Sequence, residues 1–220
     1  LHLLSLKADP VVVDVGAGGF TGTTTTDPIL EILGGRVICI EADQARSDAL
    51  GEKYGNRITN LCGFFGEIGA GVPYDLIVID LDAHLIGSIF ETLIDYAVRD
   101  GLKEGGYVIA LIVYNINAIY DGKKPLLEPA GKQAQSGFLR RYFGSDVIDA
   151  SLLAEKFRDH PQFQFIGLVD KWMGEGRNGV GWVVLRRRQL SSGLRAFAAK
   201  AARKLYGMGT VSYTHLRAHE

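Results

Sequence analysis

The stretch that decides the fold reads Val11-Val-Val-Asp-Val-Gly-Ala-Gly-Gly-Phe-Thr-Gly22. It opens with apolar, β-branched residues around Asp14, a composition typical of a strand buried on both faces of a parallel sheet. The glycines that follow let the backbone approach a ligand closely, because they carry no Cβ atom. An ionised side chain in a buried strand is costly without a partner, so we expect Asp14 to point towards the loop or a ligand. The pattern favours a ligand site over a plain strand-to-helix turn.

Strand-like and helix-like segments alternate along the chain, which is typical of a parallel sheet flanked by helices. Further strands are predicted at 36–41, 57–62, 74–80 and 107–113, with a closing antiparallel pair at 163–169 and 181–185. Helices are predicted at 28–33, 43–54, 86–99, 132–142 and 146–159, with Asp27 and Asp43 as N-caps. The irregular segment 114–130 is typical of a functional loop. We therefore predict an α/β fold: a Rossmann-like, doubly wound, mostly parallel seven-stranded sheet with an antiparallel last strand and helices on both faces.

Ordered motifs add a family resemblance over residues 11–185. They are Asp14-Val-Gly-Ala-Gly-Gly19, Ile38-Cys-Ile-Glu41, Asp75-Leu-Ile-Val-Ile-Asp80 and Leu102-Lys-Glu-Gly-Gly106. In this order and spacing they resemble the class I S-adenosylmethionine-dependent methyltransferases. The resemblance implies S-adenosyl-L-methionine as cofactor, with the glycine loop under its methionine part and Glu41 accepting hydrogen bonds from both ribose hydroxyls. A carboxylate suits that role because it binds a diol bidentately and repels a ribose phosphate.

The resemblance implies a set of cofactor-binding residues: Asp14, Gly16, Ala17, Gly18, Gly19, Glu41, Ala42, Phe64 and Asp80. Glu41→Ala is expected to weaken cofactor binding about tenfold or more while leaving the melting temperature of the free protein nearly unchanged. Two features depart from the family pattern. A threonine-rich loop (Thr21 and 23–26) follows Gly19 and is more similar to the FkbM-type branch. Gly63-Phe64 stands where an Asp often reads the adenine amino group, so adenine is expected to be held by stacking and backbone contacts.

Candidate catalytic residues follow the fourth predicted strand at its carboxyl end, the side where ligands bind in open α/β sheets. Asp82 and His84 are candidates for a general base, needed only if the methyl acceptor is a hydroxyl. They are also candidates for a metal site, although no further ligands can be placed and no metal is assigned. The alternatives are that Asp82 caps the next helix and that His84 is a solvated loop residue. Tyr114 and Asn115, beyond the fifth strand, are candidates for the acceptor pocket.

Charge is concentrated near the end of the chain. Residues 186–206 carry seven Lys or Arg and no acid, so residues 1–185 carry −8 within a chain of net charge −1 whose last ten residues are neutral. An acidic main domain argues against a nucleic-acid partner. Leu194, Phe197, Ala198, Ala201 and Leu205 recur at helical spacing, which predicts a basic amphipathic helix. It either makes weak contact with an anionic membrane surface or, as we favour, packs on its own domain.

The two ends of the chain carry separate expectations. The chain begins with Leu1 and reaches its first strand at once, so a truncated N-terminus is expected. The segment 211–220 resembles an in-frame translation of a sequencing-library adapter, and His215 and His219 are therefore excluded from the site. The expected organisation is a methyltransferase domain at 1–190, the basic helix at 191–206 and a disordered or artefactual tail at 207–220.

The sequence favours one function over two alternatives. Cys39 and Cys62 provide no disulfide framework and are expected to be buried free thiols, which fits a cytoplasmic location. No apolar run has the length needed to span a bilayer. We predict an S-adenosylmethionine-dependent methyltransferase that O-methylates a small molecule or glycan. The alternatives are an NAD-dependent oxidoreductase, whose third glycine is missing here, and a non-catalytic nucleotide-binding protein of the same fold.

Overall fold

The computed structural model describes residues 4, 6–18, 24–81, 83–115, 133, 136–137, 139–141, 143–170 and 180–189, without the side chains of 83–91, 113 and 170. The strands of this part are β1 (Val11–Val15), β2 (Arg36–Glu41), β3 (Ile58–Cys62), β4 (Tyr74–Ile79), β5 (Leu102–Val113), β6 (Phe163–Asp170) and β7 (Val180–Arg187). The helices are α1 (Thr26–Ile32), α2 (Gln44–Tyr54), α3 (Ala83–Asp100) and α4 (Ala150–Arg158), with a 3₁₀ turn at Gly55–Arg57. The described positions between 133 and 143 are also helical.

The described strands form one seven-stranded sheet in the order β3-β2-β1-β4-β5-β7-β6. β1 is the third strand of this order and pairs in parallel with β2 and β4. β7 inserts between β5 and β6 and runs antiparallel to both. The prediction of a mostly parallel Rossmann-like sheet with an antiparallel last strand is confirmed.

Burial on β1 alternates between two apolar clusters because successive side chains of a strand point to opposite faces. Val13 and Val15 belong to one cluster, with residues of α3 and α4. Val12 belongs to the other, which includes Ile29 of α1 and Leu50 of α2. The same alternation places Asp14 on the face that α1 and α2 cover.

The start of α1 differs from the sequence prediction. Thr25, not Asp27, holds the N-cap position, and it makes no side-chain capping hydrogen bond. Asp27 lies within the first turn, where its carboxylate accepts hydrogen bonds from Lys53 and Tyr54. In this position the Asp27 carboxylate binds α2 instead of the backbone of its own helix. The predicted cap of α2 is confirmed, since Asp43 accepts a hydrogen bond from the Arg46 backbone N–H over 3.0 Å.

Three other predictions change in detail. β5 begins at Leu102 rather than at the predicted residue 107, because Leu102 pairs with Tyr74 across an irregularity in the ladder. α4 begins at Ala150 rather than at 146 because Asp149 caps it. Cys39 is buried as expected, whereas Cys62 is exposed because it lies at the end of the edge strand β3.

Several predictions lie outside the described residues. They are most of the loop 114–130, much of the helix 132–142, the basic helix 191–206 and the tail 207–220. Within the described part, no helix combines the length and the apolar character needed to cross a membrane.

Candidate functional site

The candidate site lies at the carboxyl ends of β1, β2 and β4. Three backbone hydrogen bonds of 2.9 Å continue the ladder past the strand ends: Gly16 N–H to the Ile40 carbonyl, Asp80 N–H to the Val15 carbonyl, and Gly63 N–H to the Glu41 carbonyl. Because neighbouring parallel strands end at the same edge, these bonds hold the predicted motifs together. Of the predicted site residues, Asp14, Gly16, Glu41 and Asp80 therefore occupy one edge of the sheet.

The glycine turn at 16–18 packs directly against the neighbouring elements. Gly16 has φ +76°, and a Cβ built on it would stand 2.5 Å from the Asp80 carbonyl oxygen. A Cβ on Gly18 would stand 2.6 Å from Arg46 Cβ and 2.9 Å from Glu41 Oε2. Both positions require glycine, because real Cβ atoms do not approach other atoms this closely. The turn is therefore held against the end of β4 and the first turn of α2.

Glu41 joins the glycine turn to the start of α2. The residue is only 5% exposed, and its Oε2 accepts a hydrogen bond from the buried Gly18 N–H over 3.0 Å. Oε1 accepts a second one from the Asp43 N–H, also over 3.0 Å. Glu41→Ala would leave the buried Gly18 N–H without its acceptor, which is costly, whereas the Asp43 N–H is only partly buried. In contrast to the prediction from the sequence, we therefore expect this variant to lower the stability of the free protein.

Asp14 points towards the loop, as the sequence predicts. Its carboxylate has no exposed surface and accepts hydrogen bonds from Thr25 Oγ1 over 2.6 Å and Thr26 Oγ1 over 2.7 Å. Burial raises the pKa of Asp14 to about 6, and the negative charges of Asp80 and Glu41 raise it further, against the lowering effect of the two threonine hydroxyls. Asp14 is therefore a carboxylate that changes charge close to neutral pH.

The residues before and within the first turn of α1 are bound to α2 as well. Thr24 Oγ1 and Tyr54 Oη are 2.5 Å apart, and Tyr54 Oη donates to Asp27 Oδ1 over 2.7 Å. Lys53 Nζ lies 2.7 Å from Asp27 Oδ2. Hydrogen bonds from Lys53 and Tyr54 hold the pKa of Asp27 below its ordinary value. From the sequence, this threonine run is only a departure from the family pattern, because nothing in a single sequence pairs it with Asp14 or Tyr54.

The remaining predicted cofactor residues differ in exposure. Phe64 is 64% exposed and Ala42 is also exposed, whereas Asp80 is half-buried. Ala17 is fully buried in the apolar cluster under α1 and α2, so neither its side chain nor its backbone is exposed in this structure. Gly19 lies outside the described residues.

The candidate catalytic residues are only partly covered. Asp82 lies outside the described residues, and His84 lies in α3 with its side chain outside them. Tyr114 and Asn115 follow β5. The Tyr114 carbonyl accepts a hydrogen bond from the Ile148 N–H over 2.7 Å, and Asn115 forms an isolated antiparallel β-bridge with Val147. Among the described residues, no group of three or more His, Cys, Asp or Glu side chains has the arrangement of a metal site.

The sheet order, with an antiparallel strand between β5 and β6, defines the fold of the class I S-adenosylmethionine-dependent methyltransferases. The chain is similar to the O-methyltransferase from Bacillus cereus in complex with SAH (16% identity, 82% of this chain and 74% of that chain, TM-score 0.50). It is also similar to the Burkholderia thailandensis 1,6-didemethyltoxoflavin-N1-methyltransferase (16%, 82% and 72%, TM-score 0.52) and the Methanococcus jannaschii fibrillarin pre-rRNA processing protein (20%, 84% and 69%, TM-score 0.51). No family model and no curated protein matches the chain. At these identities, the likeness establishes the fold.

Proposed function

We propose that this protein binds S-adenosyl-L-methionine at the glycine turn and Glu41, and that it methylates a hydroxyl group of a small molecule or glycan. The observation that carries the proposal is the Glu41 carboxylate, held at the end of β2 by the Gly18 N–H over 3.0 Å. In open α/β sheets, ligands bind outside the carboxyl ends of the strands, where this carboxylate lies. The bound structures of the Bacillus and Burkholderia proteins, both with S-adenosylhomocysteine, support the same choice of cofactor.

Glu41 has the acceptor capacity that a ribose diol requires. Each carboxylate oxygen accepts one backbone N–H, from Gly18 or Asp43. An ionised carboxylate offers about four acceptor positions, so two remain for the two ribose hydroxyls. Its negative charge also disfavours a ribose phosphate. The residues present therefore fit the nucleoside part of S-adenosylmethionine.

Phe64 supports an adenine site beside that ribose position. It follows Gly63, whose N–H donates to the Glu41 carbonyl over 2.9 Å, so the aromatic ring belongs to the segment next to Glu41. The side chain is 64% exposed, so its ring is accessible to a ligand. Stacking an adenine on this ring would remove apolar surface from water at about 25 cal/mol per Å². We assign Phe64 to adenine binding on this basis.

The acceptor side is assigned to the residues that follow β4 and β5. When bound, S-adenosylmethionine supplies an electrophilic methyl group on a sulfonium. The protein has to align the acceptor oxygen with that methyl group and, for a hydroxyl acceptor, to remove its proton. Asp82 and His84 follow β4 in the sequence and are our candidates for the base. Tyr114 and Asn115, which follow β5, are our candidates for the acceptor wall.

The acceptor class follows from charge. The fibrillarin protein is described by its pre-rRNA processing role, whereas the other two neighbours are described as an O-methyltransferase and an N1-methyltransferase. Residues 1–185 of this chain carry −8, which opposes binding to a polyanion across the main domain. A small molecule or glycan is therefore favoured over RNA.

The sheet order also weighs against a nicotinamide-dependent oxidoreductase. Dinucleotide-binding Rossmann folds have the strand order 3-2-1-4-5-6. Here the antiparallel β7 separates β5 from β6. Calorimetry with S-adenosylhomocysteine and with NAD tests the choice between the two cofactors.

We expect S-adenosylhomocysteine to bind and NAD to bind more weakly or not at all. Glu41→Gln should weaken S-adenosylhomocysteine binding about tenfold or more, because the amide loses a charged acceptor. The matched control is Glu52→Gln, the same charge change at an exposed position of α2, which should leave binding unchanged. Tighter binding of NAD, or equal effects of the two variants, would overturn the proposal.

A further inference from the structure

The Asp14 carboxylate is oriented by two hydroxyl groups from the start of α1. Thr25 Oγ1 donates to one carboxylate oxygen over 2.6 Å, and Thr26 Oγ1 donates to the other over 2.7 Å. Asp14 and Thr26 are both fully buried, so water does not replace the Thr26 donor, whereas Thr25 is half-buried. Each carboxylate oxygen of Asp14 thus has its own threonine hydroxyl as hydrogen-bond donor.

The same contacts join the end of β1 to the start of α1. Asp14 directly precedes the end of β1, and Thr25 and Thr26 lie where the chain enters α1. The neighbouring Thr24 is bound separately, to Tyr54 at the end of α2. The Asp14 contacts thus join the two ends of the segment that contains the turn at 16–18.

We propose that Thr25 and Thr26 are positioning residues of the cofactor site, which hold Asp14 as an oriented carboxylate and join the start of α1 to the glycine turn. This inference rests on the proposed function, because it describes how the same site is prepared for a cofactor. Through Asp14, the two hydroxyls would make cofactor binding depend on pH.

The groups that face Asp14 explain why the hydroxyls matter. They are Thr25 and Thr26 from α1, Cys39 and Glu41 from β2, and Asp80 after β4. Burial and the two neighbouring carboxylates raise the pKa of Asp14, whereas the two threonine hydroxyls lower it, and the result is about 6. Removing either hydroxyl should raise this pKa further, because a donor to the charged form is lost.

The consequence for binding has a definite sign. Above about pH 6 Asp14 is ionised and its negative charge favours a ligand with a cationic amino group, whereas protonation at lower pH removes that attraction. Affinity for S-adenosylhomocysteine should therefore fall as the pH drops through about 6. Loss of a threonine hydroxyl should make the same fall begin at a higher pH.

The test measures the S-adenosylhomocysteine dissociation constant from about pH 5 to 8 for the wild type, Thr25→Val and Thr26→Val. Valine keeps the shape of threonine without its hydroxyl, and we expect the midpoint of the affinity change to move up by about half a pH unit or more. Thr25→Ser and Thr26→Ser retain a hydroxyl and should restore the wild-type midpoint. The matched control is Thr24→Val, which removes a hydroxyl bound to Tyr54 and should not move the midpoint.

A second readout needs no ligand. Carboxyl-carbon NMR titration of the free protein should show a higher Asp14 midpoint in Thr25→Val than in the wild type. An unchanged midpoint in both measurements, or an equal shift in Thr24→Val, would overturn the inference while S-adenosylhomocysteine binding by the wild type still upheld the proposed function. Failure of the wild type to bind S-adenosylhomocysteine at any pH would overturn the proposed function, and the positioning role would fall with it.

Discussion

Gly16→Ala should destabilise the protein by more than the cost of placing alanine at a positive φ alone. Alanine at φ +76° costs about 1–2 kcal/mol relative to glycine. The added Cβ would also stand 2.5 Å from the Asp80 carbonyl oxygen, and relieving that contact requires a backbone shift that costs about 1–3 kcal/mol. The expected total is therefore about 2–5 kcal/mol, since both costs apply at the same residue.

Two other glycines separate the two costs. Gly34 has φ +61° with nothing within 4 Å of an added Cβ, so Gly34→Ala should cost only about 1–2 kcal/mol. Gly18 lacks a positive φ, but its Cβ would meet Arg46 and Glu41, so Gly18→Ala should cost about 1–3 kcal/mol and weaken S-adenosylhomocysteine binding. The assay is urea denaturation followed by circular dichroism, with the free energies of unfolding compared. If Gly16→Ala is no more destabilising than Gly34→Ala, the result would contradict the close contact between Gly16 and the Asp80 carbonyl oxygen.

Three further substitutions test other contacts by the same denaturation assay. Glu41→Ala should lower the free energy of unfolding by about 1–3 kcal/mol, because the buried Gly18 N–H loses its acceptor, whereas Glu52→Ala should have little effect. In the wild type, burial raises the pKa of Asp14 to about 6, so the protonated carboxyl contributes stability that is fully present below about pH 4 and is lost as the pH rises through 6. The free energy of unfolding should therefore fall by roughly 3 kcal/mol over that pH range. Asp14→Asn should remove this pH dependence. His160 Nδ1 accepts hydrogen bonds from the Gln162 and Phe163 N–H groups over 3.2 and 3.1 Å. His160→Ala should therefore lower the free energy of unfolding by about 1–2 kcal/mol, and His160→Asn by less, because an amide oxygen can accept in place of Nδ1. Equal losses in the two variants would contradict the role of His160 as an acceptor.

The sheet could be predicted from sequence because its signals are local. The apolar runs of β1, β2 and β4 have the composition of strands buried on both faces, and their burial patterns agree. The Asp43 cap needed only a donor three residues away, the Arg46 N–H. Because parallel strands end at a common edge, the motifs at their ends could also be assigned to one site from the sequence alone.

The contacts that organise the site could not be predicted, because each joins residues far apart in sequence. Thr26 reaches Asp14 across twelve residues, and Lys53 reaches Asp27 across twenty-six. Propensity favours Asp27 as a cap, and only the position of α2 shows that Lys53 and Tyr54 bind it instead. The structural role of Glu41 could not be predicted either, because the Gly18 N–H that it binds lies 23 residues away, in the turn after β1.

The most direct test of the account is a crystal structure of the protein with S-adenosylhomocysteine. We expect both ribose hydroxyls to lie within about 3.2 Å of the Glu41 carboxylate oxygens and the adenine to stack on Phe64. The methionine part should then lie over the turn at residues 16–18. A ligand bound elsewhere, or a ribose held by another side chain while Glu41 contacts only Gly18 and Asp43, would contradict the assignment of Glu41 to the cofactor ribose.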